Sequence, residues 1–554
     1  MAENVSSSAW TALRNRIFRN IWIASVVSGT CASAHGTAAI WVANQLSHSS
    51  LLLSLMSTFS SLPFFLFTLP AGALADMVNR AKIVRIMHIW LAAAAAGIAI
   101  LGWLHLLDGN LILLFVFVIG VGFAFNAPAF TSLQIDIVIK EEIPSASILS
   151  GLQLDLSGMV GPALAGALIP MIGTNAIFAA NSVCFLLINL ALRGWPQPKG
   201  VSPAAMENLF ESFATAVRYV RYAPGMQVIL VRNILFSLFI AAIPALLPVI
   251  SLKNLHVSAP DLGLLYTLMG VGSVTAAAFI LPWGRAKYKP DTLSKLAACL
   301  LVLVILSMAF VRQTQVLFVV AALAGVAWTS TANELWLAGL RAMPGWARGR
   351  MSATIMMLSQ GAMALGGVIY GTTAQTLGVT QVLVAVALVI VVLLLVFGTF
   401  SFRPLSIDFT QTLDLEPGGF RPLAQHLTHV PLPRDGPVLI TIDLQLDERR
   451  VTELESFINE LRSIHLRNGA YSWQLFADPS RPGYFHVEIL MPSWSQYLLQ
   501  CERITKAEKK LIDRALSLNL RKEPPEIRMY VRVNKTFPSV VTPVTTPPSD
   551  SRSK

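Results

Sequence analysis

Side chains that could carry chemistry are scarce in this sequence of 554 residues, because charged residues make up only 13% of it. One carboxylate, that of Asp155, lies in a long apolar stretch that begins near Ser147. At about 1.5 Å per residue, a helix starting there places Asp155 about 12 Å along its axis. If that helix crosses a membrane, a charge at such depth costs about 2.5–3.5 kcal/mol and marks an ion or substrate pathway. We predict that Asp155 faces a central cavity as a proton acceptor or cation contact. The alternative is a hydrogen bond to a nearby Ser or Gln that only orients helices.

Other polar side chains within apolar stretches are weaker candidates for the same role. His35 is one, although a packing histidine is the commoner arrangement. Glu334 and Asp136 stand near the ends of their stretches, where a carboxylate can also reach the membrane interface. The remaining candidates are amides that either contact a cavity or join helices: Asn126, Gln153, Asn333 and Gln360.

A charged loop follows the second apolar stretch and reads G-A-L-A-D-M-V-N-R-A-K from Gly72 to Lys82. Gly72 is expected to let neighbouring helices approach closely. Asp76 places a carboxylate where a helix N-terminus or an arginine can meet it, and Arg80 and Lys82 add positive charge. The alternative is a solvated charged loop without a gating role.

Small residues are concentrated in the fifth apolar stretch. They are Gly158, Gly161, Pro162 and Gly166. Such spacing permits tight packing of membrane helices, so we predict close helix–helix contacts along this segment.

Composition places these residues in a membrane protein. The chain is 54% hydrophobic and has a mean hydropathy of +0.62, whereas soluble domains average about 25% charged residues. A span needs about 20 apolar residues, and this window predicts spans at 20–43, 51–73, 83–105, 110–132, 147–170, 174–194, 227–251, 261–282, 292–311, 314–337, 351–373 and 379–400. The motif Ala32-Ser33-Ala34 resembles a leader cleavage site, but the apolar stretch continues, which favours a retained first span.

Basic residues predict the orientation. The net charge of +11 resides largely in short loops between spans, which favours a membrane over nucleic acid as partner. Loops on one side carry Arg14, Arg16, Arg19, Arg80, Lys82, Arg85, Lys140, Arg285, Lys287, Lys289, Arg341, Arg348 and Arg350, and loops on the other side only Lys253 and Arg312. Both termini are therefore predicted in the cytoplasm, and the family resemblance described below implies a bacterial inner membrane.

The chain reads as two related halves and an appended domain. A shift of 200 residues superposes Pro144 on Pro344, Gly161 on Gly361 and Gly166 on Gly366, which indicates duplication. The predicted parts are 1–195 and 226–402 as six-helix halves, 196–225 as a connector, 403–436 as a linker, 437–533 as a soluble domain and 534–554 as a disordered tail. In the connector, Leu209, Phe213, Val217 and Val220 recur at helical spacing, which predicts a helix lying along the membrane.

The soluble domain is predicted to be α+β and ferredoxin-like. Its strands are expected at 438–446, 471–477, 484–491 and 527–533, and its helices at 448–467, 494–501 and 506–518. The order β-α-β-β-α-β is that of a ferredoxin-like unit. The predicted fold class is therefore an all-α membrane protein of twelve spans with this added domain.

Several chemistries are disfavoured by the sequence. The four cysteines are widely scattered, so neither a disulfide framework nor a metal site is expected. The dipeptide Gly-Lys is absent, so a P-loop and ATP hydrolysis within this chain are not expected. We predict no cofactor and no enzymatic activity in the membrane part.

These motifs carry a family resemblance over residues 10–402. The segments 62–65, 69–76 and 161–166 resemble the transmembrane secretion effector branch of the major facilitator superfamily. The resemblance implies proton-driven export of drugs, siderophores or other hydrophobic metabolites. It also implies that Asp76 latches the first half against the eleventh span, where Arg348 and Arg350 are available.

One segment departs from the family. Relatives often carry an Asn and an Arg just before the Gly-Pro pair, where this chain has Asp155-Leu156-Ser157-Gly158. An acid in place of a base favours cationic or neutral substrates over anionic ones.

The soluble domain is similar to antibiotic-biosynthesis monooxygenases, through residues 467–473 and Ser493-Trp494. That resemblance implies a homodimer formed through this domain. No catalytic residue is carried over, and His465 and His486 are expected to be surface or packing residues.

The sequence therefore predicts a proton-coupled exporter of a small hydrophobic or cationic molecule, with the lipid bilayer, the substrate and protons as partners. Three alternatives remain: an exporter fused to a metabolite-modifying enzyme, an appended domain that only dimerises or regulates, and an importer.

Overall fold

The protein was analysed as a computed structural model, which describes residues 10–47, 49–192, 217–223, 225–341, 343–344, 347–397, 431–432, 435–520 and 525–532. The chain divides into a helical unit and a C-terminal unit. The C-terminal unit includes two segments from earlier in the chain, residues 217–224 and 344–346. Most of the predicted connector and linker, and the whole predicted tail, lie outside the described residues.

Long helices make up the helical unit. They are α1 (Arg16–Leu46), α2 (Ser50–Met77), α3 (Arg80–Trp103), α4 (Gly109–Ile137), α5 (Ile143–Ala191), α6 (Met226–Ile240), α7 (Ala242–Val249), α8 (Ala259–Thr275), α9 (Leu281–Lys287), α10 (Pro290–Phe310), α11 (Thr314–Arg341), α12 (Arg348–Leu377) and α13 (Val379–Phe397).

Nine helices of the described part of the chain are long and apolar enough to cross a membrane. Two of these nine combine consecutive helices. In Ala259–Lys287 a π-helical turn at Ala276–Ile280 joins α8 to α9. In Met226–Asn254 α6 and α7 meet at Ala241, and a π-helical turn follows at Ile250–Asn254. α5 contains two helices that meet at Gly173, whose backbone is non-helical with φ of +76°. This break lies at the boundary between the predicted spans 147–170 and 174–194, and the glycine tolerates the positive φ that changes the helix direction without a loop.

Local signals fix the helix ends. The Asn15 side chain accepts hydrogen bonds from the amides of Ile17 and Phe18 at the start of α1, and the Asp108 carboxylate accepts one from Leu111 at 2.7 Å. These side chains satisfy amides that the first helical turn leaves unpaired.

The two ends of the helical unit differ in charge. Short loops make successive helices antiparallel, so alternate loops fall at opposite ends. We call the end that carries Arg80, Lys82, Arg285 and Lys287 the basic end. The opposite end, which carries Ser47 and Ser258, is the far end.

The C-terminal unit contains an antiparallel sheet. Its elements are β1 (Val438–Gln445), α14 (Glu448–Asn468), β2 (Ser472–Ala477), β3 (Tyr484–Met491), α15 (Trp494–Arg503), α16 (Lys506–Ser517) and β4 (Ile527–Val531). The strand order is β2-β3-β1-β4, and Thr441 lies opposite both Glu488 and Arg528. The observed strands begin and end within two residues of the predicted ones.

Alternation along the strands builds the core of this unit. Val487, Ile489 and Met491 are buried and occupy one face of β3, because successive strand residues point to opposite faces. The apolar side of α14, including Leu454 and Leu461, belongs to the same hydrophobic core.

Candidate functional site

The two halves of the helical unit meet at the far end. One buried apolar cluster there combines Ala38 and Ala165 of the first half with Val249 and Leu262 of the second. The Lys253 ammonium group also donates a hydrogen bond to the carbonyl oxygen of Ser47 at 2.9 Å. The far end is therefore closed by contacts between the halves.

Helices α5 and α8 form one of the two most extensive crossings between the halves in the described part of the chain. A Cβ atom on Gly263 would lie 2.5 Å from the carbonyl oxygen of Pro162 and 2.7 Å from the Cα of Gly166. The Thr267 hydroxyl donates a hydrogen bond to the carbonyl oxygen of Met159 at 3.1 Å. The small residues predicted on the fifth span thus bring two helix backbones into contact, the arrangement such residues permit in membranes.

Helices α2 and α12 form the second crossing. The Thr58 hydroxyl donates to the carbonyl oxygen of Ala364 at 3.0 Å. A Cβ atom on Gly367 would lie 2.4 Å from the Thr58 oxygen, and one on Gly371 would lie 2.8 Å from the Cβ of Ser54. This crossing uses the far-end part of both helices.

The two crossings place Asp155 and Gln360 in equivalent positions. On α5, Asp155 shares a helix face with Met159, Pro162 and Gly166, since these residues recur at spacings of three and four. On α12, Gln360 shares a face with Ala364, Gly367 and Gly371 by the same rule. Both side chains therefore lie on the face that contacts the other half, about one turn (~6 Å) nearer the basic end than those contacts.

Asp155 is half-buried. Its carboxylate forms no hydrogen bond or ion pair with any residue in the described part of the chain. The predicted alternative, a bond to Ser or Gln on a neighbouring helix, is made instead by Gln153, whose amide donates to the Ser25 carbonyl oxygen at 3.4 Å. Gln153 and Asp155 lie on opposite sides of α5, because they are separated by about 200°.

Toward the basic end, space remains beside the same helices. A Cβ atom on Gly72 of α2, or on Gly151 or Gly158 of α5, would meet no atom within 4 Å. The apolar cluster around Ala75, Val84 and Leu133 contains residues of the first half alone. Close approach is tightest at Gly161 and Gly166, nearer the far end, and extends to Gly158, whose carbonyl oxygen would lie 3.3 Å from a Cβ atom on Gly270. The packing role of Gly72 stays a prediction.

Charged residues at the basic end form a pair in each half. The Arg80 guanidinium donates to both carboxylate oxygens of Asp136, at 2.9 and 2.7 Å. In the second half, Arg285 donates to Glu334 at 2.7 Å, and Glu334 is only 9% exposed. Glu334 belongs to α11, so this pair joins residues of different spans.

The other gating candidates are only partly described. The side chain of Asp76 lies outside the described residues, although its backbone belongs to α2. Arg348 is exposed and Arg350 is half-buried at the start of α12. The latch between Asp76 and these arginines stays a prediction.

The remaining candidates, His35 and Asn126, lie within the first half. The His35 ring is buried, 4.5 Å from the Phe178 ring, and its Nδ1 atom lacks a partner among the described residues. Asn126 lies on the α4 face that carries Gly122, which packs on Leu91. Neither position lies on the face that contacts the second half.

Several contacts were missed by the sequence analysis. Thr58, Thr267 and Lys253 form hydrogen bonds between the halves. Isolated threonines and a single loop lysine belong to no sequence motif, so these contacts could not be predicted. The thiols of Cys31 and Cys184 approach to 3.0 Å, which their separation of 153 residues in the chain does not reveal.

The C-terminal unit holds part of the connector. Residues 217–222 are helical, and Tyr219 is only 2% exposed. The Arg467 guanidinium lies 6.0 Å from the centre of the Tyr219 ring and pairs with Glu508, and Tyr222 packs on the same core. From Val217 and Val220, the sequence analysis predicted that this segment lies along the membrane surface. In the structure Val217 is exposed, and the buried side chain is that of Tyr219.

His465 lies beside a cavity inside this unit. Burial lowers the pKa of His465 to about 4, below the usual value of about 6.5. The unfolded chain therefore binds a proton more readily than the folded one, and stability falls as the pH drops from about 6.5 toward 4, by up to about 3 kcal/mol.

We expect hydrogen exchange of α14, corrected for intrinsic rates, to accelerate over this range. His465→Gln should flatten the profile; an equally steep profile in that variant would assign the effect to another group.

Known structures resemble the helical unit in fold. A bacterial homologue of the human lysosomal transporter Spinster, in an inward-facing and unoccupied conformation, superposes with a TM-score of 0.55 at 14% identity, covering 72% of this chain and 97% of that one. The nucleoside transporter NupG superposes with a TM-score of 0.54 at 13% identity, covering 70% and 99%. The helical unit therefore has the major facilitator fold.

The family follows from the sequence. The model of the transmembrane secretion effector family matches residues 7–537, and the chain belongs to that family. It is 24% identical to macrolide efflux protein A of Streptococcus pyogenes over 42% of this chain and 58% of that protein. It is 26% identical to the enterobactin exporter EntS of Citrobacter koseri over 47% and 62%. The chain thus spans about three fifths of the length of these curated relatives.

Proposed function

We propose that this protein is a secondary transporter that exports a small hydrophobic or cationic molecule in exchange for protons. The relatives named for macrolide efflux and enterobactin export support the direction. The major facilitator fold supports alternating access, in which two halves rock about a site between them. We also propose twelve spans, which requires α1, both legs of α5 and α13 to cross the bilayer.

The observation that carries the proposal is the position of Asp155. Its carboxylate is half-buried on the face of α5 that contacts the second half, without a partner among the described residues. An unpaired carboxylate between two moving bundles can bind a proton in one state and a cationic substrate in the other. Exchange at one group makes the two binding events mutually exclusive, and this is what antiport requires.

Proton exchange supplies enough energy for this role. One charge that crosses the membrane releases about 2.3 kcal/mol per 100 mV. Each tenfold concentration ratio costs about 1.36 kcal/mol, so one proton sustains a gradient of about fifty-fold for a neutral substrate at that potential. Exchange of one proton for a monovalent cation moves no net charge, so the pH difference drives it, with about tenfold per pH unit.

We propose that the basic end faces the cytoplasm, since positive charges concentrate in cytoplasmic loops. With that orientation, the contacts at the far end close the extracellular side, and the open space beside Gly72, Gly151 and Gly158 lies on the cytoplasmic side. The conformation would then be the one that receives substrate from the cell interior. Asp76 would meet Arg348 or Arg350 when the halves close at the basic end.

The proposal predicts energy-dependent efflux. Cells that lack the protein should accumulate a fluorescent cationic drug or a native metabolite, and cells that overproduce it should expel that compound. A protonophore should abolish the difference between the two strains within minutes, because the proton gradient is the energy source. Efflux that persists after the gradient collapses would contradict proton coupling, and uptake in place of efflux would favour an importer.

The C-terminal unit supports a second role, regulation of the transporter. The connector between the two halves is held through Tyr219 against Arg467 and Glu508. We propose that this contact limits the movement of the connector while the halves rock. The homodimer implied by the resemblance of this domain stays a prediction.

A further inference from the structure

Aromatic and basic side chains lie together where α9 ends and α10 begins, at the basic end of the second half. We call residues 283–290 the α9–α10 corner. The centre of the exposed Trp283 ring lies 5.9 Å from that of Tyr288. The Lys287 ammonium group lies 5.3 Å from the Trp283 ring and 5.7 Å from the Tyr288 ring. Cation–π attraction therefore holds this ammonium group at one place on an exposed surface.

A short turn fixes the α9–α10 corner. The Tyr288 amide donates a hydrogen bond to the carbonyl oxygen of Gly284 at 2.8 Å at the end of α9, and Lys289 is the cap residue that precedes α10. A Cβ atom on Gly284 would lie 2.7 Å from a methyl carbon of Leu293, so α9 and α10 pack closely here. Lys287 and Lys289 are thus two residues apart on a turn that a helix holds at each end.

The positive charge of this corner is only partly neutralised. From the start of α9 to the sixth residue of α10, the sequence has four basic residues and one acidic residue. Arg285 pairs with Glu334 at 2.7 Å. The side chains of Lys287, Lys289 and Lys295 are exposed and form no ion pair or hydrogen bond within the described ranges of the chain. The corner therefore presents lysine ammonium groups that can bind an anion.

The equivalent turn of the first half is different. There Arg80 pairs with Asp136 at 2.7 Å, and Arg85 donates to the carbonyl oxygen of Leu192 at 2.8 Å. Lys82 is exposed but contacts no aromatic ring in the part of the chain that the structure describes. The general excess of positive charge in cytoplasmic loops therefore does not account for the aromatic and basic cluster, which belongs to the second half.

The surface around the α9–α10 corner is apolar. Phe279 and Trp283 are 70% and 60% exposed, and both lie in the last part of the span Ala259–Lys287. Leu296 and Leu303 are also exposed and lie two turns apart on one face of α10. Exposed apolar side chains of a membrane helix contact lipid, and a tryptophan near the end of a span is typical of the membrane–water interface. The lysines beside Trp283 therefore lie at the level of the lipid headgroups.

We propose that the α9–α10 corner binds the headgroup of an anionic phospholipid such as phosphatidylglycerol. The phosphate accepts hydrogen bonds from the ammonium groups of Lys287 and Lys289. It also accepts one from the indole nitrogen of Trp283, which donates to none of the described residues. The acyl chains lie along Phe279 and Leu296. The positive charge favours this lipid over a zwitterionic one, and the adjoining apolar surface favours a lipid over a free phosphate ion.

This inference depends on the membrane location of the chain and not on its transport activity. The test uses the full-length protein, freed of lipid in a non-ionic detergent. Palmitoyl-oleoyl phosphatidylglycerol would be titrated and the first bound lipid measured by native mass spectrometry, with phosphatidylcholine of the same acyl chains as the reference. We expect phosphatidylglycerol to bind about tenfold more tightly or better, since each basic residue beside a headgroup adds about fivefold. Glycerol 3-phosphate at the same concentration should not displace it.

Variants locate the bound lipid. Lys287→Gln and Lys289→Gln should each weaken the binding of phosphatidylglycerol about fivefold, and the double variant about twenty-fivefold. Trp283→Leu keeps the apolar contact but removes the donor and the ring, and should also weaken binding. Lys82→Gln is the matched control, because it removes an exposed lysine from the equivalent turn of the first half; its affinity should stay within about twofold of the wild type.

Three results would contradict the proposal. Equal affinity for phosphatidylglycerol and phosphatidylcholine would exclude recognition of the headgroup charge. Displacement by glycerol 3-phosphate would indicate a site for soluble phosphate. An equal loss of affinity in Lys82→Gln and Lys287→Gln would assign the binding to the overall charge of the basic end. If Trp283→Leu fails to elute as the folded protein in size-exclusion chromatography, the lysine variants decide the question alone.

Discussion

Replacement of Asp155 by asparagine is expected to abolish concentrative export. The substitution keeps the size and the polar head of the side chain but removes the exchangeable proton. Without it, the gradient that one proton sustains for a neutral substrate, about fifty-fold at 100 mV, should fall to about unity. Substrate should still equilibrate down its own gradient, because the helix contacts that define alternating access are unchanged.

Asp108→Asn is the matched control for this experiment. Asp108 caps α4 with a hydrogen bond from Leu111 at 2.7 Å, and asparagine caps a helix about as well. Export by this variant should match that of the wild type in everted vesicles loaded by an imposed proton gradient. Full export by Asp155→Asn across the pH range would remove Asp155 from the coupling mechanism.

Gly263→Val is expected to open the far end of the transporter. The new Cβ would lie 2.5 Å from the Pro162 carbonyl oxygen and 2.7 Å from the Gly166 Cα, and backbone atoms cannot move aside as a flexible side chain does. Overpacking costs about 1–3 kcal/mol, so α5 and α8 should separate. Export should be lost, because the closed state of this end is part of the transport cycle.

A cysteine at position 257 reports on this change. Val257 is 6% exposed and belongs to the apolar cluster at the far end. Its labelling by a membrane-impermeant thiol reagent should rise about tenfold or more in Gly263→Val, as expected when the cost of the new Cβ shifts the population. Gly158→Val is the control, since a Cβ at that position meets nothing within 4 Å; an equal rise there would show that the crossing at Gly263 has no special role.

Periodicity and loop charge predicted much of the architecture. Apolar windows located the long helices, since a span of that length is the dominant signal in a membrane sequence. In the soluble domain, the strand predicted at 484–491 coincides with β3. The windows also separated the spans 147–170 and 174–194 where Gly173 breaks α5, although the backbone torsion of one residue cannot be inferred from hydropathy.

The candidate site was predicted unevenly, for a physical reason. A carboxylate within a membrane span is energetically costly and therefore rare, so Asp155 could be chosen as a candidate from its residue type and its depth in the span. The face it occupies depends on which helices cross, and the closest crossing partner, Gly263, lies in a span without any distinctive motif. The pairing of Arg285 with Glu334 was missed for the same reason, because the two residues come from different spans.

His465 shows the opposite limitation. A histidine at the end of an amphipathic helix is typical of a surface or packing residue, and the sequence analysis predicted such a role for His465. Its burial and its hydrogen bond with Gln500, which lies 35 residues further along the chain, become visible only in the fold. Cavities depend on such distant contacts, and a single sequence does not record them.

The most direct test of the central claim is the accessibility of position 155. In a variant with Cys31, Cys184, Cys299 and Cys501 replaced by serine, Asp155→Cys would be exposed to a membrane-impermeant thiol reagent on each side of the membrane. We predict labelling from the cytoplasmic side in the absence of substrate, and protection of Gln153→Cys, which faces α1. A cysteine at 155 that stays unlabelled from both sides, or that reacts no faster than one at 153, would contradict a pathway between the two halves at this residue.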